Sequence, residues 1–599
     1  MQDRLERDRL HHSGAAHDIR GGYFYPAIGT ACPTEDTELQ NSVIKTLSSQ
    51  EAAFIGERGS RILPHAWSSY LQNVKDSAAS QHIQLPGYVS TILSCISKPP
   101  QLAIATSGGG HRAAIFGAGV MAALDGRNST SASVGTGGLL QASSYLAGLS
   151  GGSWLVGSLT EANFPIFPEL IFGSSSTGSQ GWLAQFDLTE PSSDPQVVEA
   201  FIGTLVAEVA GKFLAGFPIT INDVWARTLS RHFVSGTTAE NFFDPNVTHG
   251  AGKTLSGLAD VPAFSSHAMP FPIITSDSLS NTKNPVFFNQ TEDPVSLANV
   301  IYEFTPYEMG SYDPTLSAFT PTKFLGSPNN SVCVTGFDQL GFIEGSSSEL
   351  FNEFNTSAAA LAASPAGVLI GVIETTFNQS KDVELDATLI PNPFAGVNRG
   401  PFPDADSKML RLVDGGEDGQ IMPIQPLLVK ARDIDTIIAI DAPADTDDNF
   451  SAGFSLIASQ QRASLFPGVY SFPPVPKSVD VFISQGLAKR PTFFGCNSSP
   501  SVPLIIYIAN GGAPLGQAPV TNTSTLQTTY QPEEIQGMLN QVFDIATQGI
   551  PVAQKNGQTA KDPEFAVCLA CAVVDKQRSR SGIRRSGVCE SCLQRYCWS

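Results

Sequence analysis

The chain has 599 residues, of which 42% are hydrophobic and 15% are charged, and its mean hydropathy is zero. This composition excludes a disordered chain and supplies enough apolar residues for a large core. The formal net charge of −20 disfavours nucleic-acid binding, which needs a basic face, and it disfavours adsorption to anionic membranes by charge alone.

A strand, a glycine turn and a helix are predicted in succession in the first quarter of the chain. Residues 101–106 form an apolar run typical of a buried strand, glycines occupy 108–110, and an Ala-rich apolar stretch at 112–124 predicts a helix. The bare backbone N–H groups of such a turn can bind an anion. The segment therefore suits an oxyanion hole.

A dinucleotide site is the competing interpretation of the same glycines, which match a relaxed Gly-x-Gly-x-x-Gly/Ala fingerprint. That fingerprint requires an acidic residue at the end of a second strand. Asp125 has nearly the right spacing, but it ends a helical run and precedes a loop. The nucleotide interpretation is therefore disfavoured.

A second glycine-flanked segment, residues 148–152, satisfies Gly-x-Ser-x-Gly with Ser150 at its centre. It lies between an apolar run and a predicted helix start, as in a nucleophile elbow, where small neighbours allow a sharp turn that projects the hydroxyl. An ordinary serine in a glycine-rich turn is the alternative.

A serine nucleophile needs a base, and two candidates can be derived from the sequence. All nine histidines occur at or before His267, so the order serine, acid, histidine would have to be completed by that residue. Alternatively, the apolar run at 410–413 delivers Asp414 into a Gly-Gly turn, and a positioned carboxylate can accept the serine proton directly. A solvated acidic turn would explain Asp414 equally well.

The chain resembles the fungal phospholipase B family and, more distantly, the cytosolic phospholipases and patatins that use a Ser-Asp dyad. The resemblance runs in order through most of the chain, from about Cys32 onward. The segments that carry it, besides the two glycine segments, are 145–154, 221–229, 303–310, 345–352, 413–420 and 568–598.

The resemblance implies Ser150 as nucleophile, Asp414 as general base, Gly109 and Gly110 as oxyanion donors, and Arg112 as the residue that holds the lipid phosphate. The implied activity is hydrolysis of fatty acyl esters of lysophospholipids and phospholipids at a micelle or membrane surface, with no cofactor or metal. The strand-glycine-helix units at 101–124 and 145–160 predict an α/β fold with a central largely parallel or mixed sheet, helices on both faces and cap-like insertions.

A carboxylate base with an ordinary pKa of about 4 predicts activity that persists well below pH 6, where a histidine would be protonated. Two alternatives remain open beside the dyad. One is a Ser-His-Asp esterase or peptidase that uses His267, and the other is an inactive glycoprotein of the same fold.

The domain organisation is predicted without an internal linker. We expect a disordered extension at residues 1–31, a catalytic domain at 32–567, and a Cys-rich segment at 568–599 packed on that domain. The apolar runs at 366–373 and 501–509 are too short to span a membrane and are expected to be buried strands.

The C-terminal cysteines allow two interpretations. Cys568-x-x-Cys571 and Cys589-x-x-Cys592 have the spacing of a four-cysteine zinc site. The family resemblance and the glycosylation signals favour disulfides instead.

Secretion is predicted from nine Asn-x-Ser/Thr sequons. No signal peptide is visible in the charged stretch at residues 1–20, so we expect a mis-assigned start and a soluble, extracellular protein. The oligomeric state is not predicted. The sequons are Asn128, Asn246, Asn289, Asn329, Asn355, Asn378, Asn449, Asn497 and Asn522.

Overall fold

The computed structural model describes residues 27–30, 46–95, 97–288, 295–327, 333–354, 364–379, 383–553 and 559–599. Three predicted sequons, Asn289, Asn329 and Asn355, lie outside these ranges, as does most of the predicted N-terminal extension. Residues 27–30 form a strand that pairs antiparallel with residues 333–335.

The strands follow one another along the chain in this order. They are β1 Ala27–Thr30, β2 Leu102–Thr106, β3 Ser143–Gly148, β4 Phe271–Ser278, β5 Ile301–Phe304, β6 Glu308–Ser311, β7 Ala318–Pro321, β8 Cys333–Thr335, β9 Thr388–Pro391, β10 Met409–Asp414, β11 Thr436–Asp441, β12 Thr492–Phe494, β13 Leu504–Ala509, β14 Val552–Ala553 and β15 Thr559–Ala560.

The α-helices begin and end as follows. They are α1 Ser49–Glu57, α2 Leu63–Ser80, α3 Gly87–Leu93, α4 Gly110–Leu124, α5 Ser129–Val134, α6 Leu139–Ala142, α7 Gly151–Glu161, α8 Phe167–Phe172, α9 Pro195–Leu214, α10 Ile221–Phe233, α11 Pro262–Ser265, α12 Leu340–Ser346, α13 Pro365–Phe377, α14 Phe454–Leu465, α15 Val479–Ser484, α16 Pro532–Thr547, α17 Phe565–Arg580 and α18 Val588–Tyr596.

One mixed sheet of eleven strands organises the fold. Its order is β12-β13-β11-β2-β3-β4-β5-β6-β7, and β10 pairs with both β4 and β9. The neighbours from β13 to β4 are parallel, whereas the remaining pairs are antiparallel. Helix α7 packs against β3 and β4, and α17 packs against β11 and β13. This arrangement confirms the predicted α/β class with a mixed central sheet.

The parallel strands are buried along their whole length, as expected when helices cover a sheet. All residues of β2, β3, β11 and β13 are buried, and their apolar side chains belong to the largest apolar cluster of the described residues. The parallel strands present their carboxyl ends at one edge, where ligand sites of open α/β sheets form.

Two strands end against each other along a single edge of β4. Strand β3 runs parallel to the first half of β4, so that Gly148 lies beside Ile274. Strand β10 runs antiparallel to the second half of the same edge, so that Asp414 lies beside Ser276. The opposite edge of β4 is occupied by β5. Only Thr275 of β4 lies between the two strand ends, and the backbone leaves the sheet after Gly148 and after Asp414.

The apolar run at 501–509 contains β13, as predicted, but the run at 366–373 is not a strand. It lies within helix α13, where Pro365 takes a first-turn position and the Ser364 hydroxyl accepts the N–H of Gly367. These start signals outweigh the apolar composition. The helix also buries only one face, since the side chain of Val368 is 62% exposed.

Disulfides hold the C-terminal segment. Cys568–Cys592 and Cys571–Cys589 join α17 to α18, and Cys496–Cys597 joins the loop after β12 to the end of the chain. Cys333 is also disulfide-bonded, and Cys95 is the free cysteine among the described residues. The four cysteines with zinc-like spacing therefore form disulfides, which confirms the second of the two interpretations.

A membrane-spanning helix is not found within the described ranges, because none of their helices combines sufficient length with sufficient hydropathy.

Candidate active site

Ser150 occupies a strained turn between β3 and α7. Its backbone has φ 51° and ψ −125°, a region that non-glycine residues rarely adopt. The next two residues must be small, since a Cβ on Gly151 would lie 2.1 Å from the carbonyl oxygen of Gly110, and one on Gly152 would lie 2.3 Å from that of Thr106. The chain around Ser150 therefore has the geometry of a nucleophile elbow.

The glycine turn after β2 lies directly against this elbow. A Cβ added to Gly108 would approach the Cβ of Ser150 to 2.9 Å. The Gly108 N–H donates to the Ile421 carbonyl at 2.9 Å, whereas no acceptor among the described residues takes the N–H of Gly109 or Gly110. Gly109 and Gly110 have φ 123° and 63°. Two donors predicted for an oxyanion are thus left available beside Ser150.

Two helix N-termini meet at the same place. Helix α4 begins at Gly110 and α7 at Gly151, and these residues are in backbone contact. The aligned peptide dipoles of both helices favour negative charge near Ser150. The elbow and the glycine turn thus place the positive ends of two helix dipoles beside Ser150.

Asp414 ends β10 on the other side of Ser150. Its backbone N–H donates to the Glu349 carbonyl at 2.9 Å, and its Oδ1 accepts the N–H of Gly416 at 2.8 Å. The Ser150 hydroxyl lies close enough to the carboxylate to stabilise its charged form. The structure therefore brings together the predicted nucleophile and the predicted base.

Burial raises the pKa of Asp414 from its usual value of 3.8 to about 7, and the hydrogen bonds from Ser150 and Gly416 oppose this shift. The expectation of activity well below pH 6 assumed an ordinary carboxyl pKa. The raised pKa contradicts that expectation, because a base with a pKa near 7 is mostly protonated at pH 6. The sequence could not reveal this shift, since it depends on how completely the folded chain excludes water.

The guanidinium of Arg112 is buried in the first turn of α4. Its Nε donates to the Ala442 carbonyl at 2.9 Å, Nη1 to the Thr523 carbonyl at 2.5 Å, and Nη2 to the Thr525 hydroxyl at 2.8 Å. Burial lowers its pKa to about 10, so the group stays charged at neutral pH. Because Nη1 and Nη2 carry two N–H groups each and donate one each in these bonds, both nitrogens keep a second N–H.

His267 does not accompany Ser150. It precedes β4, whereas Ser150 follows β3, and these strands are parallel, so the two residues lie at opposite ends of the sheet. The His267 ring packs on Phe54 with a centroid distance of 4.9 Å. A triad completed by His267 is therefore incompatible with this fold.

His111 and Asp125, two other candidates from the sequence, contact residues that support the fold and not the site of Ser150. The ring of His111 lies among those of Trp154, Phe233 and Tyr530, and burial lowers its pKa to about 3, which keeps it neutral. Asp125 forms an ion pair with Arg127 at 2.8 Å instead of meeting a nucleotide ribose. In the described part of the chain, no group of three or more His, Cys, Asp or Glu residues is arranged to hold a metal ion.

The segment after α12 was not assigned any role from the sequence. Ser347 accepts the backbone N–H of Ser150 at the elbow and that of Gly415 in the turn of Asp414. Its motif at 345–352 contributed to the family resemblance, and that was the only signal available. Three consecutive serines give no indication of which one faces the site.

The described sequons differ in exposure. Asn246, Asn378 and Asn497 are exposed, whereas Asn128, Asn449 and Asn522 are half-buried. The Asn128 side chain also caps α5 by accepting the N–H of Thr130.

Comparison with known proteins identifies the family. The family model of the lysophospholipase catalytic domain matches residues 102–599 of this chain. Lysophospholipase 1 of Aspergillus fumigatus is 33% identical over 595 residues, which cover 96% of this chain and 87% of that protein. Lysophospholipase 1 of Saccharomyces cerevisiae is 35% identical over 523 residues, which cover 84% of this chain and 74% of that protein.

A solved structure shares the fold. Human GIVD cytosolic phospholipase A2 superposes with a TM-score of 0.60 at 17% identity, over 91% of this chain and 67% of that one. This likeness and the family match agree with a lipid ester hydrolase. The chain belongs to the lysophospholipase family.

Proposed function

We propose that this enzyme hydrolyses the fatty acyl esters of lysophospholipids and phospholipids through an acyl-enzyme on Ser150, with Asp414 as the base. The observation that carries the proposal is the position of the Ser150 hydroxyl beside the buried Asp414 carboxylate. The N–H groups of Gly109 and Gly110, which have no acceptor in the described part of the chain, lie next to the same hydroxyl. These are the three parts that acyl transfer requires.

The first half of the reaction forms the acyl-enzyme. Ser150 Oγ attacks the ester carbonyl carbon while Asp414 takes the hydroxyl proton. The tetrahedral oxyanion accepts hydrogen bonds from Gly109 and Gly110. When the C–O bond to glycerol breaks, Asp414 returns the proton to the leaving oxygen.

Water completes the cycle. It attacks the acyl carbon of the ester on Ser150, Asp414 takes one of its protons, and the same backbone N–H groups hold the second oxyanion. Collapse releases the fatty acid, and Asp414 returns the proton to Ser150. A base with a pKa near 7 suits both directions of transfer at neutral pH.

Arg112 is proposed to hold the phosphate of the substrate. One support is its position two residues after Gly110. The other is that Nη1 and Nη2 each use one N–H for a protein acceptor and keep a second N–H. Two parallel donors match a phosphate bidentately. Its bonds to Ala442, Thr523 and Thr525 would fix the plane of the guanidinium for that contact.

Extracellular location belongs to the same proposal. The disulfides and the exposed sequons Asn246, Asn378 and Asn497 support passage through an oxidising, glycosylating compartment. The substrate would be met at a micelle or membrane surface.

The test is hydrolysis of lysophosphatidylcholine and diacyl phosphatidylcholine by purified wild-type protein and three variants. Ser150→Ala and Asp414→Asn should each lower kcat by at least about 10³-fold, whereas His267→Ala should retain it within about threefold. Loss of activity in His267→Ala with a normal Asp414→Asn variant would refute the dyad. A wild-type protein that hydrolyses neither lipid would favour an inactive glycoprotein.

A further inference from the structure

The backbone N–H of Ser150 is held by a single residue. It donates to Ser347 Oγ at 2.9 Å and to the Ser347 carbonyl at 3.1 Å. Ser347 follows α12 and is fully buried. The strained elbow is therefore fixed from a part of the chain that is remote in sequence.

The Ser347 hydroxyl also fills the break between β3 and β10. It donates its one proton to the Thr275 carbonyl at 2.6 Å. Thr275 lies between the ends of the two strands, where neither pairs with β4 on that edge. The hydroxyl thus supplies a hydrogen bond that a continuous strand would otherwise make, and its oxygen accepts from Ser150 at the same time.

The carbonyl of Ser347 also binds the turn that follows Asp414, the proposed base. It accepts the N–H of Gly415 at 3.2 Å, beside the bond that it accepts from Ser150. Two residues further, the Glu349 carbonyl accepts the N–H of Asp414 at 2.9 Å. One short segment therefore binds the backbone of both reacting residues.

We infer that Ser347 is a positioning residue that sets the distance between Ser150 Oγ and the Asp414 carboxylate. This inference rests on the proposed function. Removal of the hydroxyl would leave the Ser150 N–H with a weaker acceptor and the buried Thr275 carbonyl without a donor, so the elbow would relax away from φ 51°. A displacement of about 1 Å at a reacting atom can cost about 100-fold in rate.

Ser346 provides a matched control. It is the adjacent serine and equally buried, and its hydroxyl donates to the Ile343 carbonyl at 2.9 Å within its own helix. The same hydroxyl lies 3.4 Å from that of Ser276 on β4, which is its one contact near the turn of Asp414 in the described part of the chain. Ser346→Ala therefore removes the same atoms without touching Ser150 or Gly415. Both variants should lower the thermal unfolding midpoint by similar amounts.

The experiment uses the full chain and measures two rates. One is kcat and KM for lysophosphatidylcholine, and the other is the rate at which an alkyl fluorophosphonate reacts covalently with Ser150. Ser347→Ala should lower kcat and the phosphonylation rate together, by about 30- to 100-fold, with KM within about twofold. Ser346→Ala should keep both rates within about threefold of wild type.

Two results would overturn the inference: a Ser347→Ala variant that reacts at the wild-type rate, or a Ser346→Ala variant that loses as much. If Ser347→Ala does not fold, Ser347→Cys decides, because a thiol keeps a weaker donor and acceptor at similar size. A rate about tenfold below wild type would support positioning, and an unchanged rate would refute it. A wild-type protein that shows neither turnover nor phosphonylation would instead refute the proposed function itself.

Discussion

Gly148 and Asp414 end their strands on the same edge of β4, beside Ile274 and Ser276, from opposite directions. This relationship explains how residues from distant parts of the chain form one site. The parallel strand delivers Ser150 at its carboxyl end, and the antiparallel strand delivers Asp414 at its own. Sheet register, not sequence proximity, brings the hydroxyl to the carboxylate.

The pH profile of kcat/KM should have an acidic limb near pH 7. Asp414 must be ionised to accept a proton, and burial raises its pKa to about 7, so activity should fall about tenfold per pH unit below that value. The measurement is kcat/KM for lysophosphatidylcholine between pH 4 and pH 9. An acidic limb near pH 4 would contradict the raised pKa.

Glu353→Gln tests whether the acidic limb of the pH profile belongs to Asp414 or to a histidine. The negative charge of Glu353 contributes to raising the pKa of Asp414, so its removal should move the acidic limb to lower pH, by less than about one unit. His267→Ala should leave the limb in place. A limb that moves in His267→Ala and not in Glu353→Gln would assign it to histidine.

Asp414→Asn should be more stable than wild type at pH 8. The folded-state pKa of Asp414 lies above its usual 3.8, so the folded protein loses stability as pH rises through about 7 and the buried carboxyl must ionise. An amide carries no such cost. The thermal midpoint of the variant should exceed that of wild type at pH 8, and this difference should disappear at pH 4. An equal difference at both pH values would show that the charge is not its cause.

Arg112→Lys tests the phosphate role against a structural one. A lysine keeps the charge but cannot present two parallel donors, so kcat/KM should fall at least about tenfold for lysophosphatidylcholine. The uncharged monoacylglycerol with the same acyl chain is the comparison substrate, and its kcat/KM should fall far less. Thr525→Val, which removes only the Nη2 acceptor, should affect both substrates equally. Equal losses in Arg112→Lys would leave the guanidinium with a purely structural role.

Gly151→Ala should abolish activity and destabilise the fold by about 2 kcal/mol or more. Its Cβ would lie 2.1 Å from the Gly110 carbonyl oxygen, and neither backbone can move without separating Ser150 from the oxyanion donors. Gly537→Ala in α16 is the matched control, because no atom lies within 4 Å of that Cβ. Thermal unfolding and lysophosphatidylcholine hydrolysis measure both effects. A Gly151→Ala variant with normal activity would contradict the close packing of the two helix N-termini.

Local patterns predicted much of the parallel half of the sheet. The apolar run before the glycines is β2, and the helix after them is α4, although it starts at Gly110, two residues before the predicted start at Arg112. Alternation between apolar runs and glycine turns is sufficient for such units, because each is formed by neighbouring residues.

Local sequence patterns could not predict the antiparallel half of the central sheet. Nothing near Asp414 indicates that β10 pairs with β4, or that its end meets Gly148, since register is set by contacts between remote segments. The same reason hides Ser347, whose partners Thr275 and Gly415 lie far from it in the chain. Helix α13 was misread because its apolar run also suits a strand.

The break in the edge of β4 has a consequence for the biogenesis of the enzyme. Ser150 can be synthesised and its elbow formed long before residues 409–414 exist, yet the base reaches it only when β10 docks beside Ser276. An unfinished or partly folded chain therefore carries a serine without a proton acceptor.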